Sequence, residues 1–185
     1  MNNFNLSEYL ELLDNSIKNI LSRKENDILT YDILDTDNIR KNKLIVLKEK
    51  QRQMKIGDIW QEVLGKYDGC NNLKKGHYTG LDIISHTKKF AIELKNRTNT
   101  DNSSSKKSNL DKLAKFKKDN PEYLCIYANI NDDTEKKTLQ GSIKSIIHNG
   151  VEIKHYIGYE FLKFILGDNV AIIVEFVKNT IDKYA

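Results

Sequence analysis

The 185-residue sequence contains little of several residue types that mark special classes of protein. One proline and nine glycines exclude a collagen-like or low-complexity chain. No apolar run reaches the roughly 18 residues that span a bilayer, and the first residues lack the basic and apolar stretches of a signal peptide. We therefore expect a soluble, cytoplasmic protein without membrane contact.

Residues that form zinc sites or disulfides are also scarce. The two cysteines, Cys70 and Cys125, and the four histidines lack the spacing of metal ligands. Two cysteines this far apart in sequence do not indicate a disulfide framework either. We expect two reduced, buried thiols and four ordinary surface or loop histidines.

Apolar and charged residues, in contrast, are plentiful, at 39% and 30% of the chain. A chain of this length can bury about 70% of the surface that it exposes when unfolded, so we predict a single domain. Residues 41–118 contain 19 basic and 8 acidic residues, whereas the segments on either side are net acidic. Such a basic segment has the charge asymmetry of a surface that neutralises nucleic-acid phosphates, but it is most commonly a solvated lysine-rich surface.

Apolar periodicity predicts helices on both sides of a group of strands. Helical spacing occurs in five segments, residues 6–24, 44–64, 110–116, 159–166 and 170–181. Strand patterns occur in four, residues 81–85, 89–95, 123–130 and 151–157, of which the first two form a hairpin. Ser7 is the expected N-cap of the first helix and Gly65 the stop of the second, while residues 25–42 stay unassigned. This order predicts an α/β fold with a central mixed β-sheet flanked by helices.

The predicted hairpin places three charged side chains on one face. Because side chains alternate along a strand, Glu93 and Lys95 project together while the other side is apolar. A turn at positions 87 and 88 pairs residues whose numbers add up to 175, which sets Asp82 opposite Glu93, with their Cβ atoms about 5 Å apart.

Two carboxylates this close repel each other unless a cation lies between them. Mg²⁺ prefers oxygen ligands and is often held by one or two carboxylates together with a substrate phosphate. Such an ion can activate water and stabilise charge on a phosphodiester, while Lys95 positions the water or meets the developing charge. The alternative is an ordinary solvated hairpin, because Glu-x-Lys alone is a weak signal.

The segments Gly80–Ser85 and Ile92–Arg97 resemble the PD-(D/E)XK nuclease superfamily, and within it the type II restriction endonucleases. Residues 57–61 are similar to the helix before the motif, and residues 99–107 to the segment after the catalytic strand in enzymes that cut GGNCC-like sites. The resemblance implies a restriction-endonuclease-like fold, Asp82 and Glu93 as Mg²⁺ ligands, and Lys95 as the catalytic lysine. We expect a single nuclease domain over residues 1–185, with a helical part at about 1–64 and a catalytic α/β core at about 65–185.

The sequence departs from the family pattern at two positions. Leu81 replaces the name-giving proline, which is chemically harmless, and Gln61 stands where relatives often place a Glu or Gln that supports the site. Because Gln61 is not a carboxylate, the number of metal ions stays open. Glu62, or Asp58 one turn earlier, could supply a further carboxylate or lie in solvent.

Polar residues with hydrogen-bond donors follow Lys95 within twelve positions, close enough to reach DNA beside the scissile bond: Arg97, Asn99, Asn102, Lys106 and Lys107. We expect the lysines to contact phosphates, and we leave base reading open for Arg97 and Asn102. The alternative is a flexible polar loop.

The predicted function is Mg²⁺-dependent hydrolysis of phosphodiester bonds in double-stranded DNA at a short specific sequence. Palindromic sites favour a homodimer, for which the N-terminal and C-terminal helices are candidate contacts. A repair or junction-resolving nuclease of the same superfamily would use the same three residues but recognise DNA structure. A non-catalytic DNA-binding protein would keep the basic surface without cleavage.

Overall fold

The computed structural model of the protein describes residues 4–24, 28–30, 32–74, 76–97, 103–131 and 141–184. Its helices are α1 (Leu6–Leu21), α2 (Asp37–Gly65), α3 (Ser103–Asp119), α4 (Tyr159–Leu166) and α5 (Val170–Tyr184). Its strands are β1 (Asn71–Asn72), β2 (Ile83–Ser85), β3 (Phe90–Arg97), β4 (Leu124–Asn131), β5 (Ser142–His148) and β6 (Val151–Ile157). No helix in these ranges is long and apolar enough to cross a membrane.

The six strands form one mixed sheet in the order β1-β2-β3-β4-β6-β5. Strands β3, β4 and β6 are parallel to one another, and the other neighbouring pairs are antiparallel. The predicted α/β fold with a central mixed sheet flanked by helices is confirmed.

The sheet separates two apolar layers because its strand side chains alternate between faces. Helices α1, α4 and α5 and the end of α2 pack on the face formed by residues such as Ile92 and Ile126. Helix α3 covers the opposite face, where Leu113 packs with Ala91 and Tyr127. By this alternation, Glu93 and Lys95 project toward the α3 side.

Several boundaries differ from the sequence-based expectation. The N-cap of α1 is Asn5 rather than Ser7, because Asn5 Oδ1 accepts hydrogen bonds from the backbone N–H groups of Ser7 and Glu8 at 3.1 and 3.4 Å. Helix α2 begins at Asp37, inside the unassigned segment, with Thr36 as its N-cap. Strands β1 and β5 were not predicted.

Helix α2 is unusually long and only its end is packed. Its 29 residues span about 44 Å at 1.5 Å per residue. The buried residues all lie between Ile59 and Gly65, whereas Ile45 and Val46 in the first half expose 65% and 68% of their surface. Gly65 ends the helix as expected, and it also lets β1 approach, since a Cβ there would lie 2.6 Å from the Cβ of Asn72.

Candidate active site

The β2–β3 hairpin has the register that alternation predicted. Ile83 pairs with Ile92 and Ser85 with Phe90, so paired numbers add up to 175. Asp82 precedes β2 by one residue, and its backbone N–H donates to the Ile92 carbonyl at 3.0 Å, one position out of the register of the ladder. Asp82 nevertheless lies close to Glu93, because both residues line the same cleft.

Backbone and side-chain contacts orient both carboxylates. Asp82 Oδ2 accepts the backbone N–H of Leu94 at 2.8 Å. Glu93 is 2% exposed, and its Oε1 lies 2.8 Å from Lys95 Nζ. Its other oxygen, Oε2, is buried and has no hydrogen-bond partner among the described residues. The hairpin thus presents a buried, incompletely hydrogen-bonded carboxyl group next to a second one.

The electrostatic environment of Glu93 disfavours its ionised form, compared with a carboxyl group in water, when no metal is bound. Burial raises the pKa of Glu93, the nearby charge of Asp82 raises it further, and Lys95 and Lys112 only partly oppose this. A bound divalent cation would reverse the balance, because it interacts favourably with both ionised carboxylates.

The donor set suits a hard divalent ion. Carboxylate oxygens are the ligands that Mg²⁺ prefers, and it commonly needs only one or two of them from the protein. Within the described ranges, no group of three or more His, Cys, Asp or Glu residues could hold a metal ion. The arrangement therefore fits a metal held by Asp82 and Glu93, with the remaining ligands from water or substrate.

Of the three residues considered as site support, the fold brings Gln61 to the carboxylates. Gln61 Nε2 lies 3.5 Å from Asp82 Oδ1, at the limit of a hydrogen bond. Glu62 instead accepts Asn72 Nδ2 at 2.7 Å and pairs with Lys66 at 2.6 Å, and Asp58 pairs with Arg23 at 3.0 Å.

Asp82 and Glu93 line a cleft of about 260 Å³ together with Leu73, Lys74, Gly76, His77, Gly80, Leu81 and Lys112. The loop before β2 is folded tightly: the His77 Nδ1 and Thr79 Oγ1 atoms are 2.8 Å apart, and Gly80 has φ of +65°. Sequence reasoning missed His77 and Lys112. Lys112 lies in the cleft because α3 packs on the sheet. No local sequence pattern indicates that packing.

The candidate DNA contacts lie beyond the cleft at the end of β3 and the start of α3. Arg97, Lys106 and Lys107 are exposed, whereas Asn99 and Asn102 lie outside the described residues. Lys106 Nζ lies 5.9 Å from the centre of the Tyr127 ring, and Tyr127 pairs with Glu93 across β3 and β4. Lys106 is therefore on the same face of the sheet as the carboxylates.

A row of polar side chains fixes the end of β3. Asn129, 1% exposed, pairs with Lys95 in the sheet and donates from Nδ2 to the Arg97 carbonyl at 3.0 Å. His155 Nε2 lies 2.6 Å from Asn129 Oδ1, and burial, with the charges of Lys106 and Lys144, lowers the pKa of His155 to about 4. His155 is thus a half-buried, neutral strand residue at pH 7, not the surface or loop residue expected from sequence.

A mixed α/β sheet with an aspartate close to the first residue of Glu-x-Lys is typical of nucleases of the restriction-endonuclease class. The chain belongs to the Eco47II restriction endonuclease family, whose family model matches residues 2–184. It is therefore a type II restriction endonuclease, a deoxyribonuclease that hydrolyses phosphodiester bonds of double-stranded DNA at specific sites. Enzymes of this kind typically use a divalent metal. A comparison with curated proteins found no match.

Proposed function

We propose that the protein is a Mg²⁺-dependent homodimer that cuts a short GGNCC-like sequence with Asp82, Glu93 and Lys95. Its main support is the buried Glu93 carboxylate, which lies beside Asp82 and has no partner at Oε2 within the part of the chain that the structure describes. The proposal includes a single nuclease domain over residues 1–185, with its helical part at about 1–64 and its catalytic core at about 65–185. A cytoplasmic location stays a prediction that cell fractionation would check.

Each residue of the triad has a distinct task. Asp82 and Glu93 hold the metal, and Gln61 orients Asp82. Bound Mg²⁺ lowers the pKa of water and stabilises negative charge on the phosphate. Lys95, fixed 2.8 Å from Glu93 Oε1, orients the attacking water and balances the charge that develops. The water oxygen forms a bond to phosphorus while one ester P–O bond breaks, and the departing oxygen takes up a proton.

Digestion of a plasmid of known sequence, with Mg²⁺ and with or without EDTA, tests this function directly. We expect fragments whose ends all map to one short sequence, and no cleavage with EDTA. Cutting of branched DNA without sequence preference would instead indicate a junction-resolving nuclease. Binding without cleavage would indicate a non-catalytic DNA-binding protein.

We propose that Lys106 and Lys107 contact phosphates, and that Arg97, Asn99 and Asn102 lie at the DNA as well. Replacing Lys106 and Lys107 together by Ala should weaken DNA binding and reduce the slope of log K against log salt by about 2, because each phosphate contact contributes roughly 0.9. Titrations at several salt concentrations measure the slope. Lys163 and Lys178, exposed on α4 and α5, provide the matched double variant. An equal slope for both double variants would contradict the assignment.

We further propose that the homodimer contact lies on the first half of α2. The apolar side chains exposed there are Ile39, Leu44, Ile45 and Val46. A DNA site with two-fold symmetry would bind two copies of the chain, and each copy presents the same surface. Antiparallel pairing of the two helices about Leu44 and Ile45 would bring the acidic start of one, at Asp37, beside the basic stretch at residues 48–52 of the other. Because residues 37–52 contain six basic and two acidic residues, the apolar side chains rather than charge support this contact.

Replacing Ile45 by Glu should dissociate the dimer, because it places a charge in the apolar contact. Analytical ultracentrifugation would show the wild type as a dimer and Ile45→Glu as a monomer. Ile172, 54% exposed on α5, gives the matched variant Ile172→Glu on one of the terminal helices that the sequence also suggested. Dissociation by Ile172→Glu alone would move the contact to α5.

A further inference from the structure

Lys112 brings a second lysine side chain to the two carboxylates. Its Nζ lies 3.8 Å from Glu93 Oε1, the same oxygen that Lys95 Nζ approaches to 2.8 Å. It comes from α3, on the opposite wall of the cleft from the hairpin, and neither the Glu-x-Lys pattern nor the resemblance includes it.

Two contacts hold the Lys112 side chain over the cleft. Its Nζ donates to Asn109 Oδ1 at 3.1 Å, and the Asn109 side chain is buried, since that residue is only 6% exposed. Its methylenes lie over Gly80, where an added Cβ would be 3.2 Å from Lys112 Cδ. The positive φ of Gly80 already favours glycine there, and the absence of a side chain leaves room for the Lys112 methylenes.

Balancing the charge of Glu93 does not account for this placement. Lys95 already makes a charge-assisted hydrogen bond to Oε1, whereas 3.8 Å is too long for one from Lys112. The Lys112 side chain is also 37% exposed, and it lines both the cleft and a neighbouring pocket of about 580 Å³. Its ammonium is thus held next to the carboxylates but stays accessible to a ligand from solvent.

We propose that Lys112 binds the phosphate that is cleaved. This inference rests on the proposed function. A phosphate that enters the cleft brings a negative charge toward Asp82 and Glu93, and in-line attack places more negative charge on its oxygens. Lys112 offsets that charge from the α3 wall, while Lys95 acts on the water side. Charged donors aimed at developing charge are among the largest contributions to catalysis.

The test compares Lys112→Met with Lys118→Met. Methionine keeps the apolar stem of lysine and removes the charge, and Lys118 is exposed in the last turn of the same helix. With the mapped recognition duplex and Mg²⁺, single-turnover cleavage by Lys112→Met should fall about 10²-fold, and Lys112→Arg should recover part of the loss. Lys118→Met should cleave like the wild type. Thermal unfolding of each variant checks that it is folded.

A neutral phosphate then separates direct binding from an indirect role. We would measure affinity by fluorescence anisotropy with Ca²⁺ replacing Mg²⁺, using the normal duplex and one with a methylphosphonate at the scissile position. Loss of the phosphate charge should weaken wild-type binding about tenfold more than Lys112→Met binding, because the variant has already lost the contact. Lys118→Met should match the wild type.

Equal methylphosphonate penalties in the wild type and Lys112→Met would overturn the proposal, even if the variant cleaved slowly, because the lysine would then act only through Glu93. Wild-type rates in Lys112→Met would also overturn it, while the proposed function would stand. A wild-type protein that does not cut DNA would refute both together.

Discussion

Replacing Glu93 by glutamine is expected to abolish cleavage and, at the same time, to stabilise the metal-free protein. The amide keeps the shape of the side chain but removes the charge that would hold the metal, so we expect a loss of at least about 10³-fold in single-turnover cleavage. Binding of the DNA, through contacts elsewhere, should persist. The two effects share one cause, the removal of this buried negative charge.

The stability gain follows from the surroundings of Glu93. Burial and Asp82 outweigh Lys95 and Lys112, so the pKa of Glu93 is raised and its ionised form is disfavoured in the folded state. Glutamine removes this buried charge and its repulsion from Asp82. Chemical denaturation in EDTA at pH 8 should therefore show a higher free energy of unfolding for Glu93→Gln than for the wild type.

The pH dependence gives this prediction a definite sign. Because the folded-state pKa of Glu93 is above its unfolded value, the folded state binds the proton more tightly. Metal-free wild-type protein should therefore lose stability relative to Glu93→Gln as the pH rises from the unfolded to the folded pKa. Below the unfolded pKa the gain from glutamine should disappear.

Glu122→Gln provides the control, because Glu122 is exposed. This substitution removes only the ion pair with Lys89, whose Nζ lies 3.8 Å from Glu122 Oε1. It should cleave normally and unfold like the wild type. A divalent ion should raise the melting temperature of the wild type and of Glu122→Gln but not of Glu93→Gln. A Glu93→Gln protein that still cuts DNA at a substantial rate would remove Glu93 from the site.

Lys95→Met is expected to lower single-turnover cleavage by about 10²–10⁴-fold with little change in DNA affinity. Lys95 Nζ lies 2.8 Å from Glu93 Oε1, and its side chain is only 23% exposed, so it acts at the reacting centre more than on the DNA surface. Gel-shift titrations with Ca²⁺ and quenched-flow cleavage with Mg²⁺ separate the two effects.

The matched control for Lys95 is Lys89→Met, at the turn of the same hairpin, where the lysine side chain is 51% exposed. This variant removes an equal charge from the same structural element and should cleave within about twofold of the wild type. Cleavage by Lys95→Met within about tenfold of the wild type would argue against a catalytic role for Lys95.

The hairpin that carries the proposed triad could be predicted because its determinants are local. Alternation in β3 and the position of the turn were enough to fix the register of β2 against β3, although the Asp82 backbone N–H bonds one position out of it. The approach of Gln61 to Asp82 and of Lys112 to Glu93 depends instead on how α2 and α3 pack around the sheet. Periodicity assigns such residues to helices but does not say which side chains meet.

Strand β5 was missed although a local pattern was present. Asn149 and Gly150 both have positive φ, of 50° and 80°, and join β5 to β6 as a two-residue turn. Asn-Gly between apolar runs is the strongest short-range indication of a hairpin. The pattern was obscured because β5 is an edge strand with exposed side chains such as Ile147, and so lacks a clear apolar face.

Helix α2 is long and packs on the core only near its C-terminal end, which has a geometric consequence for the positions of the two cuts. Gln61 beside Asp82 and the proposed dimer contact at Leu44 belong to one continuous helix, about 25 Å apart along its axis at 1.5 Å per residue. In that dimer, the length of α2 would set the distance between the two-fold axis and each scissile bond. The stagger of the two nicks, and hence the length of the single-stranded overhang, would then be a property of helix length.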